Sequence, residues 1–222
     1  MREWLRNYDL DGIDLDWEYP DPTQKEAFWN LILELRSCLD REEESTEKRY
    51  LLSVAAPAFS AFPQEILEGH QEDFIKVDYW NLMTYDYHIG QEGANAPLYA
   101  PRSECVARTV ETYEKTGITK EALNLGIPLY GRGWDAKKGW IQASYDDILR
   151  DYKDFTYTYN PITHTPYLIQ EENWISYEDV RSVKAKSRYA REEGLGGLMF
   201  WELSDDMKQT LRKTARSVWK ET

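Results

Sequence analysis

Acidic and apolar residues alternate without a break from Ile13 to Glu18, within the run Asp11-Gly12-Ile13-Asp14-Leu15-Asp16-Trp17-Glu18. Successive side chains of a strand point to opposite faces. Asp14, Asp16 and Glu18 therefore share one face, and Ile13, Leu15 and Trp17 the other. The apolar face needs a helical layer to cover it. Three carboxylates on one face repel one another and are costly to desolvate. Such a face, ending in Glu, points to proton chemistry at a strand end. The plain alternatives are an exposed amphipathic edge strand or a loose mimic of a metal loop.

Elsewhere strands alternate with helices. Met1–Tyr8 reads as the tail of a helix with Trp4 and Leu5 inward, and Gly12–Trp17 as a strand; Pro20 and Pro22 then break the chain. Ala27, Phe28, Leu31, Leu35 and Leu39 recur at helical spacing and predict a long helix from about Thr23 to Glu44. Apolar, β-rich runs predict strands at Tyr50–Ala56, Val77–Tyr85, Leu123–Tyr130 and Leu195–Trp201. Helices are expected near Pro63–Glu68, Ser103–Thr116, Tyr177–Glu193 and Asp205–Trp219. Mostly apolar strands between helices are the mark of a covered parallel sheet.

The stretch from Gly131 to Ile175 is too long for a single crossover helix. It contains a predicted short helix, Ser144–Arg150, and two polar–aromatic runs, Phe155–Tyr159 and Thr165–Ile169, joined as in a β-hairpin. The fold class is thus α/β of the (β/α)8 TIM-barrel type, with about five of the eight βα units and a small α+β insertion. The expected divisions are 1–130 for the first barrel units, 131–175 for the insertion and 176–222 for the last helix–strand–helix.

Composition narrows the partners. A net charge of −13 over 222 residues disfavours nucleic acid and anionic membranes and suits a neutral or cationic polymer. The 9 Trp and 16 Tyr, many for this length, serve a core, an interface or sugar-stacking platforms. Cys38 and Cys105 make no disulfide framework and read as free thiols, and His70, His88 and His164 lack metal-ligand spacing. No metal or cofactor is expected. No apolar run reaches membrane-spanning length, and no export signal is expected ahead of the first helix.

The acidic run resembles the D-G-x-D-x-D-x-E signature of family 18 chitinases. Three further segments are similar to that family in order and spacing: Met83-Thr84-Tyr85-Asp86, Gly126-Ile127-Pro128-Leu129-Tyr130-Gly131-Arg132, and Leu195-Gly196-Gly197-Leu198-Met199-Phe200-Trp201. The resemblance implies that the acidic run is barrel strand four and that strands four to eight are present, with the insertion after strand seven. An open sheet of this kind would expose its edges, so self-association through them is expected. One departure stands out. The family often places a Trp shortly after a His-Gly pair, on the leaving-group side; here His88-Ile89-Gly90-Gln91 has none.

The resemblance further implies retaining, substrate-assisted hydrolysis of β-1,4-linked N-acetylglucosamine, an exception to the two-carboxylate scheme. Glu18 would be the acid and base, its pKa pushed up by its acidic neighbours. Asp16 would orient the acetamido group, Asp14 would support Asp16, and Tyr85 would donate to the acetamido carbonyl. Tyr19, Met83, Asp86 and Trp201 would line the sugar site. Arg132 would either hold Asp86 or another carboxylate or touch sugar, and Tyr130, Trp134, Trp140 and Trp174 either stack on sugars or pack within the insertion. Asp11 reads as structural. Chitin or N-acetylglucosamine oligosaccharides are the implied partners, and secretion is implied for a full-length parent. Two alternatives are a glycan-binding protein on the same fold and an endo-β-N-acetylglucosaminidase.

Overall fold

The computed structural model describes residues 2–59, 61–101 and 103–220. After a first helix, α1 (Arg2–Asn7), five strands form a parallel sheet in the order β1 (Gly12–Leu15), β2 (Leu51–Pro57), β3 (Tyr79–Met83), β4 (Leu123–Pro128) and β10 (Gly197–Trp201). Helices α2 (Lys25–Thr46), α3 (Val106–Glu114), α5 (Val180–Glu192) and α6 (Thr210–Trp219) pack on it. The core lies between them, with Trp29 and Ile32 of α2, Leu52 and Val54 of β2, Trp80 and Leu82 of β3, and Val183 of α5 all buried. The predicted helix at Pro63–Glu68 is a single wide turn, Pro63–Leu67.

The long helix is rotated from the predicted face. Its buried positions are Phe28, Trp29, Ile32, Arg36, Leu39 and Glu42, while Ala27 is exposed and Leu31 and Leu35 are half-buried. Apolar spacing alone could not place Arg36 inward. Its guanidinium is buried because it is satisfied: it donates to the Tyr50 carbonyl at 2.9 Å and to Asp40 at 2.6 Å, and it pairs with Glu43. This ties α2 to the start of β2 through charge-assisted bonds.

The alternation in the acidic run survives folding, although β1 ends at Leu15, two residues short of the expected end. Ile13, Leu15 and Trp17 pack against the core, and Trp17 meets the Phe28 ring edge-on at 6.2 Å. On the opposite face Asp14 accepts hydrogen bonds from Ser53 Oγ and from Asn81 Nδ2 at 2.8 Å; Asn124 Nδ2 donates to Asn81 Oδ1 at 2.9 Å. One polar rung thus crosses β1 to β4. Asp11 is structural: its carbonyl accepts from Leu51 N–H at 2.8 Å and its carboxylate pairs with Lys48 at 3.1 Å.

The insertion is larger than a hairpin. Five antiparallel strands lie in the order β6 (Gly139–Ser144), β5 (Tyr130–Asp135), β9 (Asn173–Ser176), β8 (Thr165–Gln170) and β7 (Thr156–Asn160), with α4 (Tyr145–Asp151) between β6 and β7. The β7–β8 hairpin falls where it was expected. The single apolar run to Tyr130 hid the change of sheet, because β5 begins two residues after β4 ends.

Beneath the insertion, Glu178 and Lys186 form an ion pair with side chains 1% and 0% exposed. Burial pushes the Glu178 carboxyl up and the Lys186 ammonium down. Removing one partner strands the other in the interior, so Lys186→Met should lower unfolding free energy by about 3–5 kcal/mol. Glu178→Leu added to it should recover much of that loss. Urea midpoints of the single and double variants check this. At the sheet's ends, β1 and β10 have no further strand partner among the described residues. Unpaired edges invite strands from another chain. Sedimentation should therefore show concentration-dependent association, and a monomer at every concentration would oppose it.

Candidate active site

The face that carries the polar rung opens into a cleft of about 860 Å³. Asp14, Asp16, Glu18, Tyr19, Met83, Tyr85, Asp86, Arg132 and Trp201 all line it. Eight of the nine come from or just past the ends of β1, β3 and β10, which finish on the same side, and Arg132 reaches in from β5 of the insertion sheet. A parallel sheet always exposes its carboxyl ends together, which is where such folds build their sites.

Asp16 and Glu18 are neighbours in the cleft. The Asp16 carboxyl is held above its ordinary value, first by burial, then by the charge and proximity of the Glu18 carboxyl, and then by the charge of Asp14. The upward shift expected of this acidic cluster thus falls on Asp16. Burial, with the nearby Glu18 carboxyl and the charge of Asp16, pushes the Tyr19 phenol well up.

Across the cleft, Tyr85 is 9% exposed, and burial and the charge of Asp86 push its phenol well above the ordinary range. Its hydroxyl therefore stays protonated at neutral pH and is a standing donor. Gly126 makes room for it: a Cβ there would fall 2.2 Å from the Leu82 carbonyl oxygen and 3.0 Å from the Tyr85 ring. Tyr85, Tyr130 and Ala96, with Met83 and Met199 against them, form an apolar nest separate from the main core.

Asp86 sits at φ +64 and is gripped from the insertion side. Arg132 Nη2 donates to its Oδ2 at 2.7 Å, Arg132 Nε to its Oδ1 at 2.5 Å, and the Tyr130 hydroxyl to Oδ1 at 2.7 Å. Of the two roles open to Arg132, holding Asp86 is the one seen. Trp201 is 51% exposed, with its ring at the mouth of the cleft. Tyr19 is 38% exposed and meets Phe59 edge-on at 5.0 Å.

Several lining residues escaped the sequence reading. Asn81 and Met199 each lie two positions before a chosen residue, Met83 and Trp201, so period-two alternation would have put them inward. Phe59 carries no such signal; it reaches the cleft from the loop after β2. Among the described residues no cluster of three metal-binding side chains occurs, and no helix is long and apolar enough to cross a membrane. Cys38 and Cys105 are free.

Residues 1–206 match the profile of glycosyl hydrolases family 18. The chain belongs to that family. Chitinase A1 of Niallia circulans is 32% identical over 97% of the chain and 37% of its own length. Family 18 members have also been solved with a closely similar fold. The chitinase of Cycas revoluta, seen with allosamidin, superposes with a TM-score of 0.88 at 29% identity, covering 97% of this chain and 70% of that one. The same plant enzyme has been seen with (GlcNAc)3. The chitinase-like agglutinin of Robinia pseudoacacia superposes with a TM-score of 0.88 at 26% identity, covering 98% of this chain and 70% of that one. The fold is that of a family 18 TIM barrel, with the parallel strands as part of the barrel and the antiparallel sheet as its α+β insertion. The chain spans 37–64% of the lengths of eight curated relatives that it matches.

A raised carboxyl pKa means that the folded chain holds that proton more tightly than the unfolded chain does. Its contribution is full below the unfolded value and is lost as pH rises through the folded one. Asp16→Asn should therefore remove part of the stability that wild type loses as pH rises above the ordinary aspartate value, leaving the variant at least as stable as wild type at neutral pH. Thermal midpoints from below that value up to neutral pH check this; a lower neutral-pH midpoint for the variant would oppose it.

Proposed function

We propose that this chain carries the catalytic face of a chitinase-type glycosidase that cleaves β-1,4 bonds between N-acetylglucosamine units with retention. The observation that carries this is the meeting of Asp16 and Glu18 in one sugar-sized cleft that Tyr85 and Trp201 also line.

Glu18 protonates the leaving glycosidic oxygen while the substrate's acetamido oxygen attacks the anomeric carbon. The C–O bond breaks and an oxazolinium ring closes. Asp16 accepts the acetamido N–H and offsets the ring's positive charge. The Tyr85 hydroxyl donates to the acetamido oxygen and fixes its line of attack. Water then attacks the anomeric carbon, gives its proton to Glu18, and the ring reopens. Since the acetamido group is the nucleophile, one enzyme carboxyl moves protons in both halves.

The carboxyl pair supports this economy. Asp14 is anchored by Ser53 and Asn81 and so presses its charge on Asp16 from a fixed position. Burial and the neighbouring charges raise the Asp16 carboxyl, which favours keeping a proton beside Glu18 as pH rises. Met83 and Met199 in the nest beside Tyr85 suit the acetamido methyl, and the bare Trp201 face suits a sugar ring. The likeness to an agglutinin favours a second reading, a glycan-binding protein without turnover.

The test is hydrolysis of a fluorogenic chitobioside by wild type and Glu18→Gln. Losing the proton donor should cost about 10²- to 10⁴-fold in rate. Equal rates in both would remove Glu18 from its role. Oligosaccharide binding without hydrolysis in either would favour the glycan-binding reading, and release of intact N-glycans from a glycoprotein would favour an endo-β-N-acetylglucosaminidase.

A further inference from the structure

Helix α5 runs against the charge of the chain. Acids outnumber bases 40 to 27, yet α5 carries Arg181, Lys184, Lys186, Arg188 and Arg191 against a single acid, Glu192. Two of these cations are accounted for: Lys186 pairs with Glu178, and Arg191 donates to the Val218 carbonyl at 2.9 Å. Arg181, Lys184 and Arg188 are exposed, and none of them forms an ion pair among the described residues. Spacings of three and four residues place them on one stripe of the helix.

That stripe lines a hollow of about 630 Å³, closed on its other sides by α4 and by the β7–β8 hairpin. Its size falls within the range of about 300–1,000 Å³ common for small-ligand pockets. It shares no lining residue with the cleft. Two details exceed what a solvated helix face requires. Arg181 is the second residue of α5, in the turn where the helix dipole disfavours a cation. Its guanidinium is nonetheless held there, 3.6 Å from the centre of the Tyr159 ring. Asp179 supplies the one carboxylate among the described lining residues, and it is already engaged. Its Oδ1 accepts from Ser182 N–H at 2.8 Å and its Oδ2 from the Tyr157 hydroxyl at 2.9 Å. His164 adds no charge at neutral pH, because burial and the charges of Arg181 and Lys186 push its pKa down.

We infer that this hollow is a second binding site, for a ring-bearing ligand that carries more than one carboxylate or phosphate. Arg181 and Arg188 are seven residues apart, about 10 Å along the helix axis. Charges spread over that length suit an extended ligand rather than a single ion. Guanidinium forks match the paired oxygens of carboxylate and phosphate groups. Leu149 and Val180, both exposed, offer apolar surface beside the cations for the body of the ligand. An acidic sugar chain and a phosphorylated sugar both have this chemistry. Since the hollow and the cleft are lined by different residues, the site stands whether or not the chain hydrolyses glycosides.

Calorimetry at low salt tests this with trigalacturonate and with glucose 1,6-bisphosphate, and with maltotriose as the neutral control. The triple variant Arg181→Gln, Lys184→Gln, Arg188→Gln should weaken the tighter-binding anion by about tenfold, the scale of three exposed ion pairs. Removing the same charge from α6, with Lys208→Gln, Lys213→Gln and Arg216→Gln, should change its affinity by less than about twofold. Tyr159→Leu, which takes away the brace under Arg181, should cost about two- to fivefold. Added salt should weaken wild-type binding. Tighter binding of trigalacturonate would assign the site to acidic sugar chains, and tighter binding of the bisphosphate to phosphorylated sugars. No binding of either anion, binding no tighter than that of maltotriose, or an equal loss in the α6 variant would overturn the site. Chitobioside hydrolysis by the α5 triple variant should stay within about twofold of wild type, so this site and the glycosidase reading fail separately.

Discussion

The polar rung from Asp14 through Ser53 and Asn81 to Asn124 governs the rest of the molecule. A one-residue slip in any parallel strand would turn its apolar side chains away from the helices and its polar ones into the core. The rung makes that slip doubly unfavourable, since each member would then be buried without a partner. With register held, Asp16 and Glu18 emerge from β1 on the same side as Tyr85 from β3 and Trp201 from β10. The geometry of the cleft is thus set by the rung at its base, two of whose members, Asp14 and Asn81, also line it.

Above the rung, charge is rationed. Asp14, Asp16 and Glu18 crowd together with no cation among them, whereas Asp86 receives the whole of Arg132. The first arrangement raises the Asp16 carboxyl, and the second holds the Asp86 carboxylate still. Tyr85 and Tyr130 add hydroxyls that burial keeps protonated. Acid, acceptor and donor are therefore distinguished by surroundings rather than by residue type.

Much of this was legible in the sequence. Strict alternation at Ile13–Glu18 announced its two faces, and they fold as read. The resemblance carried Tyr85, Asp86 and Trp201 to one place because strand ends in a parallel sheet converge, and Arg132 joins them from β5. Other features resisted for physical reasons. The inward face of α2 includes Arg36, which hydrophobic spacing cannot reveal because its burial depends on partners distant in the chain. The insertion sheet was seen only as a hairpin, since β5 follows β4 without a polar break and β6 and β9 are short and mixed in character. Phe59 belongs to a loop, where neither period nor propensity speaks.

Arg132 belongs to β5, and Asp86 to the end of β3. Their paired hydrogen bonds rivet the antiparallel sheet to the barrel arc, with the Tyr130 hydroxyl as a third fastener. The insertion is consequently no detachable ornament. Excising it, or grafting another in its place, would set the Asp86 carboxylate adrift beside Tyr85 even if every strand of the arc were left untouched.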